Sequence, residues 1–145
     1  MLKNNEIGST ILRVFLGATF LIHGAAKFQG GIENTVGFFE SLGLPGFSAY
    51  LVALIELVGG LAMILGVGTR IVSLLFTIVL AVAIIKVKVA GGFLGNGQMA
   101  GYELDLALMM IAIYLAMTNK SLFALDNVLF QSNNRNEGGN KHEFS

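Results

Sequence analysis

The stretch Ile11–Gly31, ILRVFLGATFLIHGAAKFQGG, decides the fold. It is apolar enough to enter a bilayer, yet it carries Arg13, His23 and Lys27. Ionisable groups at membrane depth are costly, and they face a bundle interior or a water-filled cavity. His23 and Lys27 are four residues apart, so a helix presents both on one face. This is a spanning helix that needs other helices to enclose it.

The composition supplies such helices. Of 145 residues, 54% are hydrophobic and 12% are charged. Soluble domains carry about 25% charged residues. The formal net charge is zero, which gives no reason to expect nucleic acid or a strongly charged partner. The chain has no cysteine, so it cannot itself run thiol–disulfide exchange, ligate a metal through thiolates or hold an iron–sulfur cluster. Many of the 19 glycines lie in or beside apolar runs, where they allow close helix packing.

The first span is expected from about Ile7 to Phe28. Arg13 breaks the apolar core that a signal peptide requires, so this span is read as retained. Ile32, Val36 and Phe39 then recur at helical spacing and predict a short amphipathic helix, ended by Gly43, Pro45 and Gly46. A second span is expected over about Ala49–Val67, with Glu56 as its only charge. Thr69 is read as the N-cap of a third, about Ile71–Val89. A fourth runs from near Tyr102 to near Met117. Lys120–Phe130 reads as a second amphipathic helix on the membrane surface. Residues 131–145 are polar and aperiodic and are expected to be disordered. The fold class is therefore all-α: one membrane domain over 1–130, an up-down antiparallel bundle of four spanning helices.

Four spans put both termini on one side. Lys3, Arg13, Arg70, Lys120, Arg135 and Lys141 gather there, against Lys27, Lys86 and Lys88 on the other. The positive-inside rule then places both termini in the cytoplasm.

This topology also collects polar residues in the outer half of the membrane. His23 and Lys27 come from the first span, Glu56 from the second, Lys86 and Lys88 from the third, and Tyr102, Glu103 and Asp105 from the fourth. Glu56 is too deep to snorkel and should be paired with His23, Lys27 or Lys86. It shares a helical face with Gly59, Gly60 and Met63, which suggests that it points inward. Glu103 and Asp105 are two apart, so at most one points fully into the bundle, and the same holds for Lys86 and Lys88. Lys88 is expected to snorkel as an anchor, while Lys86 is read as an anchor or a ligand. Arg13 and Arg70 are expected to be cytoplasmic anchors or phosphate contacts. Glu56 and His23 could instead be structural hydrogen-bond partners.

Other motifs are weak. Gly95-Asn96-Gly97-Gln98-Met99-Ala100 fits a G-x-G-x-x-A pattern, but it follows a membrane helix with no βαβ unit around it, so nucleotide binding is not expected. One membrane histidine cannot form a bis-histidine haem site, and no metal-ligand spacing or flavin motif is visible.

The segments RVFLGATFLIHGAAKFQGG, TVGFFESLGLPG, YLVALIELVGGLAMILGVGTR and GYELDLALMMIA, in this order, resemble the DoxX family of small bacterial membrane proteins. The resemblance covers about residues 10–126 and implies a four-helix inner-membrane protein. It also implies a redox link. Family members are associated with thiosulfate:quinone oxidoreduction, with resistance to catechols and quinones, and with oxidative-stress complexes. Its polar positions here are His23, Lys27, Glu56, Arg70, Tyr102 and Glu103.

The leading expectation is thus an oxidoreductase, or a membrane subunit of one, holding a quinone- or catechol-like ring. His23, Glu56 and Glu103 are the candidate catalytic residues, and Lys27, Lys86, Tyr102 and Arg70 the candidate ligand-binding ones. Electrons would come from a redox partner or a bound cofactor, since the chain shows no redox centre of its own. Two alternatives compete: a proton-coupled carrier for a small solute, with Glu56 and His23 as a relay, and a non-catalytic scaffold that holds a soluble enzyme at the membrane.

Overall fold

The computed structural model describes residues 4–118, and these are all-helical, with no strand among them. Five α-helices form: α1 (Asn4–Gln29), α2 (Ile32–Ser41), α3 (Phe47–Leu65), α4 (Thr69–Ala83) and α5 (Glu103–Met117). α4 runs on through a π-helical turn, Ile84–Lys88, and a 3-10 turn, Val89–Gly91. Three helical segments are long and apolar enough to cross a membrane: Asn4–Gln29, Phe47–Leu65 and Thr69–Gly91. α5 has 15 residues. At about 1.5 Å per residue it falls short of a roughly 30 Å hydrocarbon core. The second amphipathic helix and the polar tail expected from the sequence lie outside the described residues.

The most extensive helix contact is α1 against α3, followed by α4 against α5; α3 meets α4, and α1 meets α5. The α1–α3 seam is tight because glycines form it. A Cβ added to Gly17 would sit 2.7 Å from the Gly60 carbonyl oxygen, and one added to Gly24 would sit 2.6 Å from the Leu57 nitrogen. A Cβ on Gly60 would sit 2.6 Å from the Leu21 nitrogen. Gly59 serves the other neighbour: its missing side chain makes room for the Phe76 ring of α4. Small residues let backbones approach where lipid offers no hydrophobic drive to association.

The core combines Leu16 and Phe20 of α1, Met63 of α3, Phe76 and Leu80 of α4, and Leu108, Ala112 and Leu115 of α5. Phe20 and Phe76 stack with ring centroids 3.8 Å apart and planes within 5°. Three details differ from the sequence reading. Gly68, in the left-handed region at φ 58°, precedes α4, and Thr69 is its first helical residue. Glycine suits that position because it has no Cβ to clash. Arg13 is no interfacial anchor, because only 1% of it is exposed and it is the largest fully buried side chain. It lies one turn from Ser9 on the buried face of α1. The Ser9 and Tyr114 hydroxyls share a hydrogen bond of 2.9 Å that ties α1 to α5. Lys88 does not snorkel, for the reason given below.

Candidate functional site

A cavity of about 500 Å³ opens among the helices. α1 contributes Thr19, Phe20, His23 and Lys27, and α3 contributes Val52, Ile55 and Glu56. Phe38, Phe39, Leu42 and Leu44 enter from α2 and the turn after it. The far wall is the end of α4 with its π turn, including Lys86 and Lys88, together with Asp105 and Leu108 of α5. The wall is mostly apolar, with six ionisable side chains on it. Ligand sites commonly have this size and make-up.

Each acidic residue on the wall has a basic partner. Lys27 Nζ donates to Glu56 Oε2 at 2.6 Å, joining α1 to α3. The Glu56 side chain is 7% exposed, so its charge needs this partner. Ala49, Ala53, Glu56, Gly59, Gly60 and Met63 are the buried positions of α3, so Glu56 points inward with the glycines as its spacing suggests. Lys88 Nζ donates to Asp105 Oδ2 at 2.5 Å, joining the π turn to α5.

The π turn explains the role of Lys88. Ser73, Phe76 and Leu80 mark the buried stripe of α4. Continued at about 3.6 residues per turn, that stripe reaches residue 87. A π turn inserts one extra residue per turn, so Lys88 takes the inward position instead. Lys86 is left exposed at the cavity edge. His23 is likewise exposed and borders the cavity.

Three expected site residues fall elsewhere. Glu103 is exposed at the start of α5 and does not line the cavity. Asp105 lies there instead, on one stripe with the buried Leu108, Ala112 and Leu115. Tyr102 packs edge-on against Phe93, ring centroids 5.6 Å apart, in the loop before α5. Arg70 is exposed in the first turn of α4, while the cavity begins at Ile78 and lies along the other end of that helix. The signal for Asp105 was present in the spacing 105, 108, 112, 115. It was masked because nearly every residue of α5 is apolar, leaving no visible polar face. The glycine-rich loop folds on itself: Asn96 Oδ1 accepts from the Gln98 and Met99 backbone N–H groups, and Gly95 and Gly97 have positive φ. Among the described residues, no cluster of histidine, aspartate and glutamate suits a metal ion.

Residues 8–89 match the DoxX family. The chain belongs to that family. Relatives of this DoxX protein include the Bacillus subtilis (strain 168) protein named "Putative oxidoreductase CatD", 46% identical over 131 residues, which cover 90% of this chain and 93% of that one. An "Uncharacterized membrane protein" of Mycobacterium tuberculosis (strain ATCC 25618 / H37Rv) is 32% identical over 79% of this chain and 77% of its own. The "Inner membrane protein YqjF" of Escherichia coli (strain K12) is 35% identical over 74 residues, 51% of this chain and 56% of that one. No solved structure matches the chain. This DoxX protein is a membrane protein, and the sequence resemblance and the family match agree.

Proposed function

We propose that the chain is a redox-linked protein of the bacterial inner membrane that holds a quinone- or catechol-like ring in its cavity. The single observation that carries this reading is the cavity itself, which joins apolar walls to His23, Lys27, Glu56, Lys86, Lys88 and Asp105. The apolar walls suit a flat ring, and the lysine and histidine nitrogens suit its oxygens. Reduction of a quinone takes up protons as well as electrons. In this reading Glu56, held by Lys27, exchanges a proton with the ring through His23. Asp105 takes the place that the sequence reading gave to Glu103. Electrons come from a redox partner or a bound cofactor. The name of the Bacillus subtilis relative supports a redox role.

In this reading α1, α3, the extended α4 and α5 are four antiparallel spans, and residues 1–130 form one membrane domain. Both termini are cytoplasmic. Arg13 leaves the positive-inside count because it is buried, but Lys3, Arg70, Lys120, Arg135 and Lys141 still outnumber Lys27, Lys86 and Lys88.

The test is thermal melting of the purified protein with menadione as probe, alongside extraction of co-purified small molecules. A ligand at a hundred times its Kd stabilises by about 2.7 kcal/mol. Melting is expected to rise with menadione, and His23→Ala is expected to remove most of the rise. No shift, together with an extract free of quinones, overturns the reading.

A further inference from the structure

The charges on the cavity wall do not balance. Glu56 is engaged by Lys27 and Asp105 by Lys88, so each pair is internally neutral. His23 and Lys86 remain, and among the described residues neither has a hydrogen bond or an ion pair. The register shift at the π turn gives Asp105 to Lys88 and leaves the Lys86 ammonium at the cavity edge without an acidic partner. The wall thus carries one lysine more than its carboxylates neutralise, beside a histidine that can add a second donor.

A surplus cation next to an apolar cavity selects for charge. A neutral carbonyl offers Lys86 an ordinary hydrogen bond, while an oxyanion offers a charge-assisted one, roughly twice as strong. An oxyanion also offsets the surplus, so both ion pairs can stay intact when the cavity fills. We propose that the cavity takes its ligand as an apolar organic anion, a ring-sized body with a single phenolate or carboxylate oxygen, and that Lys86 Nζ receives that oxygen. The proposal rests on the cavity being the ligand site put forward above. It adds the charge state of the ligand and the residue that reads it.

The same oxyanion chemistry could be met by an anionic lipid headgroup. The cavity walls suit a small ring: Phe20, Phe39, Ile55, Val79 and Leu108 line it from five separate elements around about 500 Å³.

The experiment compares two ligands of one shape, naphthalene-2-carboxylate and naphthalene-2-carboxamide. Binding to the full chain is measured by calorimetry in nanodiscs of phosphatidylcholine alone, with empty nanodiscs as the blank. The carboxylate is expected to bind about fivefold tighter than the amide. Lys86→Gln is expected to bring the two affinities together, and Lys86→Arg to keep them apart, while an unchanged melting temperature in both variants checks folding. Equal binding of the two ligands by the unaltered chain overturns the anion inference and leaves the cavity reading standing. Failure of both ligands to bind removes the cavity reading and this inference together. Loss of carboxylate binding when phosphatidylglycerol is added assigns Lys86 to a lipid headgroup and overturns the small-ligand proposal.

Discussion

The α1–α3 seam and the α4–α5 side hold the cavity by different means. On the first, two regular helices pack backbone to backbone through Gly17, Gly24 and Gly60, and Lys27–Glu56 crosses between them near one end. On the second, α4 runs into a π turn that brings Lys86, Val87 and Lys88 to the wall, and Lys88–Asp105 crosses from it to α5. The first side is fixed by sterics that tolerate no added atom. The second is fixed by helical register, which one residue can reset. The two sides should therefore fail differently when altered.

The largest effect is expected on the glycine seam. Gly60→Val forces a branched side chain against backbone atoms, which cannot move aside as a flexible side chain would. A loss of about 3 kcal/mol is expected, read as a lower melting temperature in detergent and less monodisperse protein. Should Gly60→Val fold normally, the contrast between the two sides disappears.

An intermediate effect is expected at the seam's ion pair. Glu56→Leu leaves the Lys27 ammonium in a largely apolar wall and should cost about 2 kcal/mol. The double variant Lys27→Met/Glu56→Leu should recover most of that loss, because it removes both charges. Melting curves of the single and double variants decide this. Equal loss in both would mean that the pair is held for reasons other than mutual neutralisation.

The smallest effect on stability, and the sharpest test of the contrast, is deletion of Ile85. It removes the residue that the π turn adds, so an α-helix then carries Lys88 to the inward place of residue 87 and keeps it facing Asp105. The expected cost is about 1 kcal/mol. The coupling between Lys88→Ala and Asp105→Asn, measurable as a double-mutant cycle in the unaltered chain, should persist in the deletion background. Loss of the coupling would show that register does not set this pair.

Legibility followed the same division. The positions of α1, α2 and α3, the inward face of Glu56 and its pairing with a basic residue could all be read by counting, because those helices keep one period throughout. Lys88 could not be read, since counting assumes about 3.6 residues per turn and the chain departs from that at Ile84. Asp105 was hidden for another reason. In a bilayer the lipid-facing side of a helix is as apolar as the buried side, so α5 has no polar face to betray its orientation. Arg13 was misplaced by its charge: a lone arginine near a span end reads as an anchor, and burial needs partners from elsewhere in the chain.

That burial has a consequence for biogenesis. Arg13 belongs to α1, and beside it Ser9 meets Tyr114, which is made 105 residues later. During synthesis the guanidinium enters the bilayer before α5 exists to wall it off. Arginine at the centre of an inserting helix costs about 2.5–3.5 kcal/mol. The nascent chain therefore carries an uncovered cation at least until Tyr114, 105 residues after Ser9, has been made.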